Sequence, residues 1–157
     1  MKVKWKELII AIAIPLAVGG LAALLSGGGM KTFEMVEKPP LSPPGWLFPV
    51  AWTILYTLMG IASYLIYVSE TSQAKKTQAL TIYAYQLLVN FLWPIFFFDF
   101  GWYLFSLFWL ILLWFLVYRT ISLFSEISKT AAWLMIPYLL WLTFAAYLNA
   151  GIWYLNR

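Results

Sequence analysis

The sequence predicts an all-α membrane protein built as a bundle of five transmembrane helices. Three observations carry this reading. Hydrophobic residues make up 64% of the 157 and charged residues only 10%, whereas a soluble domain is near half apolar and a quarter charged. The apolar residues gather into five stretches of 18 to 25 residues, each close to the roughly 20 needed to cross a bilayer. No Asp, Glu, Lys or Arg stands at the middle of any stretch. Residues 1–157 are therefore read as one transmembrane domain.

The first span covers about 8–25, after Lys2, Lys4 and Lys6 and before Ser26 and a glycine run. Its apolar stretch exceeds the roughly 7–15 residues of a cleaved signal peptide, so it is read as a retained helix. Pro15 within it is tolerable where neighbouring groups satisfy the freed carbonyl. Residues 26–45 form the longest polar connection. It starts flexible at the glycines and stiffens through Lys38-Pro39-Pro40-Leu41-Ser42-Pro43-Pro44-Gly45, because proline fixes φ and restricts the residue before it. Ser42 is expected to accept a bond from a free amide and open the next helix.

The second span is about 46–68, followed by a polar loop to residue 78 that carries Lys75 and Lys76. The third, about 79–98, contains Pro94. Asp99-Phe100-Gly101 is so short that the fourth span, about 102–124, must form an antiparallel hairpin with the third. A loop over 125–130 leads to the fifth span, about 131–155, with Pro137 near its start.

An odd number of spans puts the termini on opposite sides. Lys2, Lys4, Lys6, Lys75, Lys76, Arg119 and Lys129 then share the N-terminal side, and Lys31, Lys38 and Arg157 the other. That imbalance places the N-terminus in the cytoplasm if the membrane is a plasma membrane. The net charge of +4 is thus a topology signal, and no nucleic-acid partner is expected. Five spans cannot be two equal inverted halves, which argues against a repeat-built transporter. Charge-free span centres argue against a pump, a proton-coupled carrier or a voltage sensor. The chain has no His and no Cys, which removes thiol nucleophiles, disulfides and imidazole chemistry, and no metal site is expected.

Aromatics are 20% of the chain, with ten Trp. Trp46, Trp102, Trp133 and Trp153 lie near span ends, where interfacial anchors belong. Trp52, Trp93 and Trp141 lie deeper or beside a proline. Residues three or four apart share a helix face. Trp52 and Tyr56 make one stripe; Asn90, Trp93 and Phe97 a second; Trp141, Phe144, Ala145 and Asn149 a third. Such stripes commonly pack or face lipid. A shared cavity that stacks flat apolar rings accounts for all three deep Trp at once, since a buried indole N–H seeks a partner. Gln86, Thr53 and Thr143, also within spans, read as helix–helix hydrogen-bonding groups.

At these residues the chain resembles the TspO/MBR family, also called translocator protein, peripheral-type benzodiazepine receptor or tryptophan-rich sensory protein. Lys38-Pro39, Pro43-Pro44, Trp46, Phe48-Pro49, Trp52-Thr53 and Tyr56 carry the first part of the match. Gln86, Asn90, Trp93 and Phe97-Phe98 carry the second. Pro137-Tyr138, Trp141, Phe144-Ala145, Leu148-Asn149 and Leu155-Asn156 carry the third. The resemblance implies a five-helix bundle, usually dimeric, with a cavity under a lid formed by the first loop. It implies no required cofactor. Porphyrins such as protoporphyrin IX, haem-related tetrapyrroles, sterols, and benzodiazepine or isoquinoline drugs would be ligands. Pocket positions would fall on Trp52, Asn90, Trp93, Trp141 and Ala145, with lid residues around Phe33 and Pro43. If the light-driven porphyrin degradation attributed to some bacterial members applies, Trp52 and Trp141 match the Trp pair it requires. The chain departs from many members at Leu41, where Trp is usual, and at Phe33, where several have Tyr. Leu148, Tyr154 and Arg157 fit the family's sterol motif, a weak pattern; an aromatic and a cation at a span end are also an ordinary interface anchor.

Three functions are thereby in view. The first is a receptor, sensor or carrier for tetrapyrrole-like ligands in a bacterial plasma membrane. The second is an enzyme that photo-oxidises porphyrin. The third is an assembly protein dimerising through the small-residue pairs Ala13/Ala17 and Gly19/Ala23 of the first span.

Overall fold

The fold follows from five helices that cannot leave a backbone group unpaired in lipid. A computed structural model describes residues 2–27 and 29–157. Its elements are α1 (Trp5–Leu25), α2 (Gly29–Met35), α3 (Leu47–Tyr67), α4 (Gln73–Pro94), α5 (Tyr103–Ser125) and α6 (Lys129–Leu155). A π-helical turn, Ile95–Asp99, continues α4. Among the described residues there is no strand. Five helices are long and apolar enough to cross a membrane: α1, α3, α4 with its π-turn, α5 and α6. The chain is an integral membrane protein with the expected five-helix architecture.

The boundaries differ from the sequence reading where polar residues continue a helix. Helix α4 starts at Gln73, inside the segment read as a loop, because Ser72 caps it by accepting from the Lys75 amide at 3.2 Å. Helix α6 starts at Lys129 for the same reason: Ser128 accepts from the Ala131 amide at 3.2 Å. A cap and intrahelical bonds suffice outside the bilayer, so apolarity understates helix length. The long connection also differs. It holds the short helix α2, and then a strap over residues 36–46. Gly28 of the glycine run lies outside the described residues. Ser42 does not cap α3; its hydroxyl donates to the Pro39 carbonyl at 2.7 Å. The strap turns at Leu41, whose φ of +71° is left-handed.

Helices α4 and α5 form the expected hairpin, and Gly101 supplies the positive φ of 65° that its turn needs. The core lies between α3, α4, α5 and α6, where Met59, Leu113, Val117, Met135 and Leu142 are fully buried. Trp109 donates its N–H to the Val89 carbonyl at 2.7 Å and Trp114 to Thr143 Oγ1 at 2.9 Å. These two indoles stitch α5 to α4 and to α6, the latter through the Thr143 hydroxyl expected to bridge helices. Thr53 does not bridge: its hydroxyl turns back to the Pro49 carbonyl of its own helix at 2.7 Å.

Helix α1 packs on α3 at a close crossing. A Cβ at Gly60 would stand 2.5 Å from Ile12 Cα and 2.7 Å from the Ala11 carbonyl oxygen. One turn farther along α3 the gap is filled differently, with Gly19 seated against the Tyr56 ring. Ala13 and Ala17 face outward. Gly60→Ala is therefore expected to lower the thermal midpoint of unfolding in lipid nanodiscs, at a cost of about 1–3 kcal/mol from overpacking. Gly20→Ala is the matched control. Its added Cβ meets nothing within 4 Å, so the midpoint should hold or rise.

Candidate functional site: an aromatic cavity

The three aromatic stripes converge on one cavity of about 400 Å³, within the ordinary range for small-molecule sites. Helix α3 contributes Phe48, Trp52 and Tyr56, spaced four apart. Helix α4 contributes Asn90 and Trp93, and its π-turn Phe97 and Phe98. Helix α6 contributes Trp141, Ala145, Leu148, Asn149 and Ile152. Leu110 and Leu113 of α5 and the small residues of α1 complete the wall, and Phe33 of α2 caps it. Among the described residues no charged side chain lines it.

Proline shapes the α4 wall. Pro94 has no N–H to give, and the next turn opens to π spacing, closed by the Phe100 amide donating to the Ile95 carbonyl at 3.1 Å. A wider turn lets two successive rings reach inward. Phe97 stacks on Trp93 at 4.9 Å and 22°, and Phe98 meets the same indole edge-on at 5.9 Å.

Beneath the rings runs a chain of buried hydrogen bonds. Tyr56 donates its hydroxyl proton to Asn90 Oδ1 at 2.6 Å. Asn90 Nδ2 donates to the Tyr138 hydroxyl at 2.6 Å, and Tyr138 donates to Gln86 Oε1 at 2.8 Å. Gln86 Nε2 finishes on the Met59 sulfur at 3.5 Å. Gln86 and Tyr138 are essentially inaccessible, so each bond replaces one that water cannot supply. A second link joins α4 to α6 and α5. Trp93 Nε1 donates to Asn149 Oδ1 at 3.0 Å, and Asn149 Nδ2 to the Tyr103 carbonyl at 2.8 Å.

Trp52 is held by this frame. Its ring stacks on Tyr56 at 5.3 Å and 27° and meets Tyr138 edge-on at 6.1 Å. Trp141 stands against it at 6.3 Å and 86°, with Phe48 on its other side at 5.9 Å. Among the described residues neither the Trp52 nor the Trp141 N–H has a hydrogen-bond partner, and both rings line the cavity.

Of the sequence-predicted positions, Phe33, Trp52, Tyr56, Asn90, Trp93, Phe97, Trp141 and Ala145 come together around this space. Pro43 and Phe144 do not. Pro43 sits in the strap away from the lining, and Phe144 lies over Tyr147 at 6.2 Å and 26°. The sterol-motif residues separate: Leu148 faces the cavity, while Arg157 lies 4.2 Å from the exposed Tyr154 ring at the helix end. That cation–π pair has the make-up of an interface anchor. Tyr138, which the sequence does not mark as a site residue, supports the site from behind the lining through its bonds to Asn90 and Gln86. It stands three residues before Trp141, so the α6 stripe extended back by one turn reaches it. On α1 the small-residue pair Gly19/Ala23, expected at a dimer contact, lines the cavity instead, with Gly19 against the Tyr56 ring.

The sequence matches the TspO/MBR family over residues 11–155. The chain belongs to that family. A tryptophan-rich protein TspO from Archaeoglobus fulgidus is 37% identical over 151 residues, 96% of this chain and 97% of that protein. The translocator protein of Bos taurus is 34% identical over 158 residues, 98% and 92% of the two chains. A tryptophan-rich sensory protein from Cereibacter sphaeroides is 34% identical over 156 residues, 99% and 95%.

The polar chain makes the site's stability sensitive to a single oxygen. Tyr138→Phe strands Gln86 Oε1 and Asn90 Nδ2 together. At about 0.6–1.7 kcal/mol per membrane hydrogen bond, the loss should be about 1–3 kcal/mol, read as a lower thermal midpoint in nanodiscs. Tyr154→Phe, at the exposed helix end, should leave it unchanged.

Proposed function

We propose that this TspO/MBR protein is a membrane receptor, sensor or carrier that binds porphyrins, with protoporphyrin IX and haem-related tetrapyrroles first among its ligands. Family membership supports the membrane sensor or receptor role. The observation that carries the ligand class is the Trp52–Trp141 pair. Two indole rings meet edge to face in a cavity without charge, and their N–H groups are free to donate to a bound molecule. A flat apolar ring system gains stacking and burial there, and its polar edge atoms gain two donors. Sterols and benzodiazepine or isoquinoline drugs are apolar enough for the same space. No acid, base or metal ligand is needed to hold any of them. In a bacterial plasma membrane the cation imbalance would put the N-terminus in the cytoplasm, and the outward Ala13/Ala17 pair supports a homodimer through α1.

Titration of protoporphyrin IX into the purified protein should quench Trp fluorescence saturably. Trp52→Ala and Trp141→Ala should each weaken binding by about tenfold or more, the loss of roughly 1.4 kcal/mol or more of stacking and burial. Unchanged affinity in both variants removes the pocket assignment.

The contact between Trp52 and Trp141 favours a second reading, light-dependent degradation of bound porphyrin. The excited porphyrin can take an electron from one of two touching indoles and pass it to dissolved oxygen, whose reduced products then oxidise the porphyrin, with no general acid or base required of the protein. Under illumination in air the Soret band of the complex should bleach, and Trp141→Phe should slow bleaching while porphyrin stays bound. Equal bleaching in the variant and the parent protein rules out a catalytic Trp141.

A further inference from the structure

We infer that ligands reach the cavity sideways from the membrane interior, through a window between α1 and α3, and not past the strap. The inference rests on the proposed role of the cavity as the ligand site.

The cavity is walled unevenly. Its exposed lining residues are Gly20, Ala23 and Gly27 on the α1 side and Pro49 and Thr53 on α3. The lining residues of α4, α5 and α6 are buried or half-buried. Gly20 stands at the opening itself, since a Cβ there would meet nothing within 4 Å. The helices explain the gap. They are pinned where Gly60 meets the Ile12 backbone, and Tyr56 fills the space at Gly19. Beyond Tyr56 the exposed residues that edge the cavity between these helices are all small: Gly20, Ala23 and Gly27 opposite Pro49 and Thr53. Gly20 lies five residues inside the end of α1 and Thr53 six inside the start of α3, about 8–9 Å along each axis. The window therefore opens at the depth of apolar chain. Its rim suits that depth: among these described rim residues the hydroxyl is that of Thr53, already spent on the Pro49 carbonyl.

The strap end is shut. Phe33 is 4% exposed and packs on Phe48 at 5.0 Å, with Phe97 and Ile152 beside it. The strap is then fastened to α6 along its length. The Asn156 side chain accepts from the Glu37 amide at 3.1 Å and donates to the Glu37 carbonyl at 2.8 Å. Pro39 fills the notch at Gly151, where a Cβ would stand 2.5 Å from its ring. Tyr147 donates to the Pro40 carbonyl at 2.6 Å. Leaving past the strap means breaking these bonds; leaving through the window breaks none.

The test follows release of protoporphyrin IX from nanodiscs into excess empty vesicles, read by recovery of Trp fluorescence. Gly20→Phe should slow release by about tenfold, because a ring at the window plugs it. A substitution that merely removed ligand contacts would speed release, so the sign separates the two. Asn156→Ala, which unfastens the strap, should leave the rate unchanged. Release that is unchanged or faster in Gly20→Phe, or faster in Asn156→Ala, overturns the window. A second measurement needs no ligand. The chain has no cysteine, so a single nitroxide on Gly20→Cys reports its own surroundings. Oxygen, which concentrates in lipid, should relax it more than a water-soluble nickel chelate does; the reverse order overturns the window. Failure of the parent protein to bind protoporphyrin would defeat the proposed function alone, since the nitroxide measurement still decides the window.

Discussion

Asn90 sits where three helices must agree. Its amide accepts from Tyr56 on α3 and donates to Tyr138 on α6, both at 2.6 Å. Each partner is buried, so the positions of α3, α4 and α6 are set against one another by groups with no alternative in water or lipid. The aromatic geometry rests on this. Tyr56 and Tyr138, fixed by their hydroxyls, present their rings to Trp52 at 5.3 and 6.1 Å. Trp52 in turn abuts Trp141. The polar chain underneath specifies where the apolar surface above it stands, which nondirectional apolar packing would leave looser.

The second constraint is the size of α1. Gly19 accepts the Tyr56 ring, and Gly60 lets the α1 backbone approach α3. Larger side chains would push α1 outward and displace Tyr56 from its bond to Asn90. Elsewhere α1 makes few demands. Most of its surface is exposed, and just before its first turn the Lys4 amide donates to the Tyr64 hydroxyl of α3 at 2.8 Å. A helix held close to α3 at Gly60 and edged with small residues beyond Tyr56 makes an open-edged wall beside a closed one.

The five spans were legible because hydropathy and length respond to the same bilayer. Their ends were legible only where a proline or a turn interrupts the chain. At Ser72 and Ser128 a capping hydroxyl carries the helix past the last apolar residue, and hydropathy cannot register a cap. The cavity was legible in part. Trp52, Asn90, Trp93 and Trp141 share faces at helical spacing, and the structure brings those faces together. Phe144 shares the α6 stripe and packs between Trp141 and Tyr147 at 5.8 and 6.2 Å without lining the cavity, because a stripe of residues at spacings of three and four is wider than the wall it forms. Gly20 and Gly27 were invisible as lining residues. A glycine contributes by what it leaves empty, and emptiness depends on which helix lies opposite.

That emptiness also bears on what kind of molecule the cavity suits. A charged ligand group buried here would meet no counter-charge among the described residues, at a desolvation cost of several kcal/mol. Any carboxylate must therefore remain at the rim while its apolar body occupies the interior. At the capped end stands the cation of Lys38. Its ammonium stands 5.0 Å from the Phe33 ring and donates to the Glu34 and Val36 carbonyls at 3.2 Å. Those carbonyls take only part of its hydrogen-bonding capacity, since an ammonium offers three donors. An amphipathic ring, apolar across its faces and anionic at one edge, would have to keep that edge outside this neutral interior.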